Sequence, residues 1–226
     1  MKILYKNKNL IAVSKPAGIP VQHDSSGDED LMSATSRHLR SLGESDGLWL
    51  VHRLDRVVGG VVVFARNKHS AATLSELFAT RGAEKEYLAV VEGRAEGGLL
   101  EDYLSKDERR GMAVVADSAR GGAKAASLEY SPIECVTHDG TELTLVRIKL
   151  HTGRFHQIRA QFSSRGMPIV GDGKYGSRVR GAHMPALFSF HIGFNANGGR
   201  YDIYDRPDVT SFPWSLFDIK KFEELS

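Results

Sequence analysis

One carboxylate in this sequence is hemmed in by two guanidinium groups. In VHRLDR (51–56), Asp55 lies between Arg53 and Arg56, and the chain runs on into VVGGVVVFARN. Nearby positive charge favours the ionised form of an aspartate and lowers its pKa. An acid held in that way can serve as half of a structural ion pair, a metal ligand or a nucleophile, and the hexapeptide leaves all three open. A second chemistry-bearing stretch is HTGRFHQIRAQFSSRGMPIVGDGKYGSRVRGA (151–182). There Arg154, Arg159, Arg165, Lys174, Arg178 and Arg180 stand against a single acid, Asp172, for a formal charge of +5. Such a segment suits a polyanionic partner or a solvated basic face.

Other chemistries lack their parts. GDGKYGS (171–177) contains glycines and a lysine, but Asp172 follows Gly171 where a phosphate-binding P-loop requires lysine. His52, His151 and His156 form no i,i+4 pair on one helix and have only Cys135 as a cysteine, so no metal site is expected and the histidines read as hydrogen-bonded structural groups. There is no GxSxG elbow for a serine hydrolase. Hydrolysis of a glycosidic bond uses paired carboxylates, and Asp55 has no acidic neighbour close in sequence.

The 226 residues are 41% hydrophobic and 26% charged with a net charge of +2, which predicts an ordinary globular chain, read as one catalytic domain over 1–226. A lone cysteine excludes an intramolecular disulfide and favours a reducing compartment. Lysines and asparagines interrupt the apolar residues at the N-terminus, so no signal-peptide core is present, and no apolar run approaches the ~18 residues of a membrane span. A cytoplasmic location without membrane attachment is expected.

The elements that must position Asp55 and Arg159 follow from periodicity. Residues 3–5 and 10–13 read as a hairpin around KNKN, leading into a stiff loop at Pro16, Gly18 and Pro20. A helix over 31–42 places Leu31, Thr35, Leu39 and Leu42 on one face, with Asp28 or Asp30 as cap and Gly43 as stop. GVVVFA (60–65) predicts a central strand covered on both faces, so Asp55 enters a rigid element. Asn67 caps a helix carrying Ala71, Leu74, Leu77 and Phe78, and KEYLAVVEG (85–93) returns as a strand. Residues 94–126 predict short strands and loops. The segment 142–150 reads as a strand with one slip suggesting a bulge, and Thr152 is placed to cap a helix with Phe155, Ile158 and Phe162 in one stripe. On that helix His156 and Arg159 share a flank, and Gly166 with Pro168 ends it.

Together, VHRLDR, KEYLAVVEG and LHTGRFHQIRAQFSSRGMPIVGDGKYG resemble the three successive motifs of the RluA-type pseudouridine synthases, in the same order. ILYKNKNLIAVSKPAGIPVQ is similar to the family's opening hairpin and Lys-Pro-Ala-Gly loop, and LSKDERRGMAVV with AKAASLEY to its middle segment. The resemblance implies an α+β fold with a mixed, largely antiparallel sheet split by a central cleft and flanked by helices. It implies a cofactor-free isomerase that converts a uridine of ribosomal or transfer RNA to pseudouridine. Asp55 matches the family's catalytic aspartate, Tyr87 its active-site tyrosine and Arg159 the arginine that pairs with the aspartate. On that footing Asp55 initiates cleavage of the glycosidic bond, as nucleophile or base, and its main partner is Arg159 rather than the adjacent Arg56. Arg53 takes an RNA-facing position, and Arg154, His156, Lys174, Arg178 and Arg180 are the further candidate RNA contacts. A monomer acting on a compact stem-loop, without an appended N-terminal RNA-binding domain, is expected.

The sequence departs from the family pattern at two places. Where relatives carry Thr-Ser-Gly after the aspartate, Val58 and Gly59 replace the hydroxyl residues, and Phe188 occupies the position of a usual histidine. Loss of two side-chain donors beside the Asp55 loop leaves an alternative, a catalytically weakened RNA-binding relative of the same fold.

Overall fold

A computed structural model describes residues 1–196 and 198–225. The chain forms two compact units, Met1–Lys85 with Phe188–Pro207, and Glu86–Leu187 with the residues from Asp208 onward. Among the described residues no helix is long and apolar enough to cross a membrane.

In the first unit, β1 (Ile3–Lys6) and β2 (Leu10–Lys15) make the expected hairpin. Its polar turn is closed by Asn7, whose Oδ1 accepts from the amides of Asn9 and Leu10 at 2.8 and 2.9 Å. The helix α1 (Leu31–Ser41) is capped by Asp30, which accepts from the Ser33 amide at 2.9 Å. Leu31, Thr35 and Leu39 are buried as their spacing predicts. Leu42 instead lies at the C-cap and is 54% exposed, because the helix has already ended beneath it.

After the two-residue β3 (Trp49–Leu50) comes β4 (Gly59–Ala65), every residue of which is buried. Strand β2 runs antiparallel along one edge of β4, pairing Leu10 with Ala65 and Lys15 with Gly60. The helix α2 (Lys68–Ala79), capped by Asn67 through the Ser70 amide, covers one face. Val61, Val63 and Ala65 pack there with Leu74 and Phe78. Full burial of such side chains is worth roughly 1.5–3 kcal/mol for the larger ones, so this strand is the most firmly fixed element of the unit.

The second unit is built on an antiparallel sheet whose neighbours are not all consecutive in sequence. It contains β5 (Glu84–Glu92) from Glu86 on, β6 (Gly98–Asp107), β7 (Met112–Ala116), β8 (Lys124–His138) and β9 (Thr141–Leu150), paired in the order β5, β9, β8, β6, β7. Within residues 94–126 the loops and the five-residue β7 are as expected, but β6 is not short: it has 10 residues and opens a ladder onto the 15-residue β8. Their low apolar content reflects a sheet with one open face, where Leu100 and Leu104 point inward and Glu101 and Tyr103 outward. The bulge foreseen in 142–150 lies in the partner strand, where the register of β8 shifts between Pro132 and Glu134 opposite Val146 and Leu145.

The helix α3 (Gln157–Ser163) starts four residues later than a Thr152 cap requires. His156 adopts a left-handed backbone with φ 49°, which bars a helix from running through it, and Phe155 lies outside the helix. Thr152 binds sideways, donating to Gln157 Oε1 at 2.7 Å and accepting from the Ser127 amide at 2.9 Å.

The first unit is completed by β10 (Leu187–Ala196), from Phe188 on, and β11 (Gly199–Tyr204). Strand β10 runs parallel to β4, with Phe188 opposite Gly59 and Ser189 opposite Gly60. Gly60 has φ +113° and a Cβ there would lie 2.2 Å from the Ser189 carbonyl oxygen, so only glycine fits. At Gly59 a Cβ would meet the Phe188 ring at 3.1 Å and the Lys15 carbonyl oxygen at 3.2 Å. The two departures from the family pattern thus share one volume, the phenyl ring filling the space a residue-59 side chain would use. Gly59→Ser should lower the unfolding free energy in urea by about 2 kcal/mol. In a Phe188→Leu background the cost of Gly59→Ser should fall to about half, and equal costs in both backgrounds would show that the two positions are independent.

Candidate active site

Asp55 stands at the start of the turn that feeds β4. The segment before it alternates, with Arg53 exposed and Leu54 buried, and Asp55 itself is partly exposed. The Val58 amide donates to the Asp55 carbonyl at 3.0 Å, closing the turn. His52 is spent on structure: its Nε2 accepts from the Val63 amide at 2.9 Å and its ring stacks on Phe78 at 4.4 Å. Burial, with a smaller push from Lys85, lowers its pKa to about 3, so the ring is neutral.

Beneath the turn lies a group that motif reading passed over. The Lys15 side chain is fully buried, and its ammonium donates to the carbonyls of Pro16, Arg56 and Val58 at 3.0, 2.8 and 2.8 Å. Burial lowers its pKa to about 8, while the Asp55 carboxylate pulls it back up and Arg56 pushes it further down. Lys15 falls in phase with Ile11 and Val13, but β2 is buried along nearly its whole length, so no alternation in the sequence singles it out. The Lys-Pro-Ala-Gly loop is also zipped to the Asp55 turn by two more bonds. The Gly18 amide donates to the Arg56 carbonyl at 2.9 Å, and Arg56 Nε donates to the Gly18 carbonyl at 2.9 Å. The rest of the Arg56 guanidinium goes to Asp28 and, at 3.7 Å, to Asp24. Arg56 is therefore engaged in holding the loop.

Tyr87 and Arg159 belong to the second unit. Tyr87 lies on β5 opposite Ile148 of β9 and is 8% exposed. Arg159 is buried on α3 and makes a bidentate pair with buried Asp172, Nε to Oδ2 at 2.6 Å and Nη2 to Oδ1 at 2.8 Å. The Tyr175 ring lies 4.8 Å from the guanidinium carbon. A buried arginine with one carboxylate along its fork keeps a fixed plane. Asp172 was legible only as the one acid of a basic stretch, because its partner lies thirteen residues away on another element.

The loop bearing Asp172 is itself anchored. Glu92, at the end of β5, accepts from Ser177 Oγ at 2.6 Å and from the amides of Arg178 and Val179 at 2.8 and 3.2 Å. Gly171 has φ +82°, and a Cβ there would fall 2.4 Å from the Met184 carbonyl oxygen. Gln157 secures the turn before α3, accepting from Thr152 Oγ1 and the Arg154 amide and donating to the Ser127 carbonyl at 3.1 Å.

The +5 stretch presents less charge than its composition indicates. Arg159 is paired to Asp172, and Arg165 to Asp102 at 2.9 Å. Lys174, Arg178 and Arg180 are exposed, and Arg154 is partly exposed with its Nε on the Ala125 carbonyl. His156 is partly buried, stacked on Phe155 and hydrogen-bonded through Nδ1 to Tyr175 Oη at 3.0 Å. Burial and the neighbouring Arg159, Lys174 and Lys106 charges lower its pKa to about 3, so it presents a neutral ring.

A family model described as RNA pseudouridylate synthase matches residues 9–164. The chain belongs to the RNA pseudouridine synthases, of the RluA type. It is 29% identical to an uncharacterised RNA pseudouridine synthase of Aquifex aeolicus, over 99% of this chain and 70% of that protein. It is 32% identical to the ribosomal large subunit pseudouridine synthase D of Pseudomonas aeruginosa over 80% of this chain, and spans 55% of that relative. The tRNA pseudouridine synthase C of Haemophilus ducreyi is also 32% identical, over 78% of this chain and 74% of its own length. Among solved structures, human RNA pseudouridylate synthase domain containing 4 matches at a TM-score of 0.74 and 25% identity, covering 92% of this chain and 89% of that one. The corresponding human domain-containing 1 protein shares the fold at a TM-score of 0.81, covering 99% and 93%. The mixed, mostly antiparallel sheet with few helices is the pseudouridine synthase fold.

Two outcomes follow for these buried polar groups. Lys15→Met should cost about 3 kcal/mol at pH 7, three carbonyls losing about 1 kcal/mol each. The folded-state pKa lies below the unfolded one, so the charged lysine penalises the wild-type fold below about pH 8, and the penalty is relieved from there towards 10.5. The stability gap between wild type and Lys15→Met, read by urea denaturation, should therefore widen between pH 7.5 and pH 9.5. Asp172→Asn, which removes the carboxylate from the buried pair, should cost about 3 kcal/mol, and a loss under 1 kcal/mol would contradict the pairing.

Proposed function

We propose that this chain isomerises a uridine of structured ribosomal or transfer RNA to pseudouridine, with Asp55, Tyr87 and Arg159 as its catalytic residues. The observation that carries the reading is the braced turn: a single carboxylate presented at the entry of the most deeply buried strand, with a buried ammonium beneath it. The family match supports it, because residues 9–164 include all three side chains. Relatives named for ribosomal and transfer RNA support the substrate class.

In this mechanism Asp55 starts the reaction as nucleophile or base, and the C1′–N1 bond breaks. The uracil turns, C5 bonds to C1′, the C5 proton leaves and N1 gains a proton. Atoms and electrons balance within the nucleotide, so the isomerisation calls for no redox cofactor. Arg159, its plane fixed by Asp172, is assigned to keep the aspartate ionised and aligned. Tyr87 offers a ring for the uracil and a hydroxyl for the proton at C5. A base inside folded RNA must leave its stack, at a cost of a few kcal/mol offset by backbone contacts, for which Arg53, Arg154, Lys174, Arg178 and Arg180 are the assigned cations, with His156 as a neutral contact. The proposed enzyme works as a monomer in the cytoplasm.

The test is to map pseudouridine in ribosomal and transfer RNA from cells with and without the protein, then restore wild type or Asp55→Asn. One or more uridines should lose conversion without the protein and regain it only with wild type. In vitro, Asp55→Asn should slow conversion by more than about a thousandfold while RNA binding stays within about threefold. No change at any uridine, with RNA binding intact, would favour a catalytically weakened RNA-binding relative. Release of free uracil would indicate a hydrolase.

A further inference from the structure

A recess of about 380 Å³ in the second unit lies beside the turn that leads to α3. Its lining includes Lys106, Gly122, Lys124, Gly153, Arg154 and Phe155. Three cations thus surround one aromatic ring in a volume at the lower end of those typical of ligand pockets. One face of the Phe155 ring is occupied by the His156 ring, 3.8 Å away and 19° from parallel. Over the ring stands the Lys106 ammonium, 5.3 Å from the centroid. That ammonium is the far end of an exposed side chain and also meets Glu108 at 2.7 Å, so it can swing aside. Phe155 is meanwhile backed by the Leu104, Met112, Ala113 and Tyr175 cluster, which holds the ring in place.

We infer that this recess is a nucleotide subsite, in which Phe155 stacks one base and Lys106, Lys124 and Arg154 hold the adjoining phosphates. A ring held by its apolar neighbours and approached by a displaceable cation suits a flat π-face, and bases stack on such platforms regardless of sequence. The subsite is joined to Arg159 by contacts within the same unit. Phe155 stacks on His156, His156 bonds Tyr175 Oη at 3.0 Å, and Tyr175 lies under the Arg159 guanidinium. The inference rests on the RNA synthase reading and deepens it: the occupant is a nucleotide neighbouring the target uridine on the same strand. Neutral His156 serves here as the second layer of the stack and not as a phosphate cation.

The test uses two labelled probes, a single-stranded RNA of mixed sequence and about twelve nucleotides, and inorganic polyphosphate of similar length, which has charge but no bases. Phe155→Leu, which keeps apolar bulk, should weaken RNA binding about tenfold and leave polyphosphate binding within twofold. Phe155→Trp should bind RNA within twofold of wild type. Lys106→Ala and Lys124→Ala should each weaken both probes and lower the slope of log affinity against log salt by about 0.7. Glu108→Gln should tighten both. The inference fails if Phe155→Leu binds RNA like wild type, or if it loses both probes equally, as misfolding would produce. If wild type binds no RNA and converts no uridine, the synthase reading falls with it. If wild type converts uridine while every recess variant binds normally, this inference alone is overturned.

Discussion

The first unit depends on one buried charge. An ammonium without water is tolerable only when each of its hydrogens finds an oxygen, and Lys15 finds three in the backbone, one at Pro16 in its own loop and two just after Asp55, at Arg56 and Val58. The Lys-Pro-Ala-Gly loop and the Asp55 turn therefore cannot move separately. The same ammonium adds a positive charge within electrostatic reach of the Asp55 carboxylate, so the device that fixes the loop also favours the ionised acid. Strand β4 anchors the other end of the turn, because Gly60 allows β10 to approach more closely than any side chain would permit.

In the second unit, polar burial does comparable work at Arg159. A helix of only seven residues gives little rigidity by itself, and its geometry is set by what surrounds it. Gln157 ties its first turn to Ser127 on β8, Ser163 Oγ donates to the Tyr175 carbonyl at 2.7 Å, and Asp172 grips the arginine. Each contact joins α3 to a segment distant in sequence, so the plane of the guanidinium is a property of the assembled unit.

Periodicity made the hairpin, α1, β4, α2, β5 and β9 legible, because each shows its period in neighbouring residues. The Asp30 and Asn67 caps were legible for the same reason, as both bond an amide three residues on. The stretch 94–126 was not, since a strand with a solvent face has too few apolar residues to stand out. The start of α3 was hidden by a backbone choice at His156 that side-chain spacing does not encode. Asp55, Tyr87 and Arg159 were reached through motif resemblance, whereas Lys15 and Asp172 needed coordinates: the partners of one are main-chain carbonyls and the partner of the other is thirteen residues away.

Glu92 has a consequence beyond anchoring. The three groups it accepts from are one hydroxyl and two main-chain amides, so the path of the segment around Arg178 is written in backbone and a single serine. The exposed side chains at 178 and 180 take no part in those bonds. Such a loop can exchange its outward residues through evolution while keeping its trajectory, and with it the seat of Asp172 under Arg159. Adaptation to a different RNA would then proceed on the outside of the loop with the inner ion pair undisturbed.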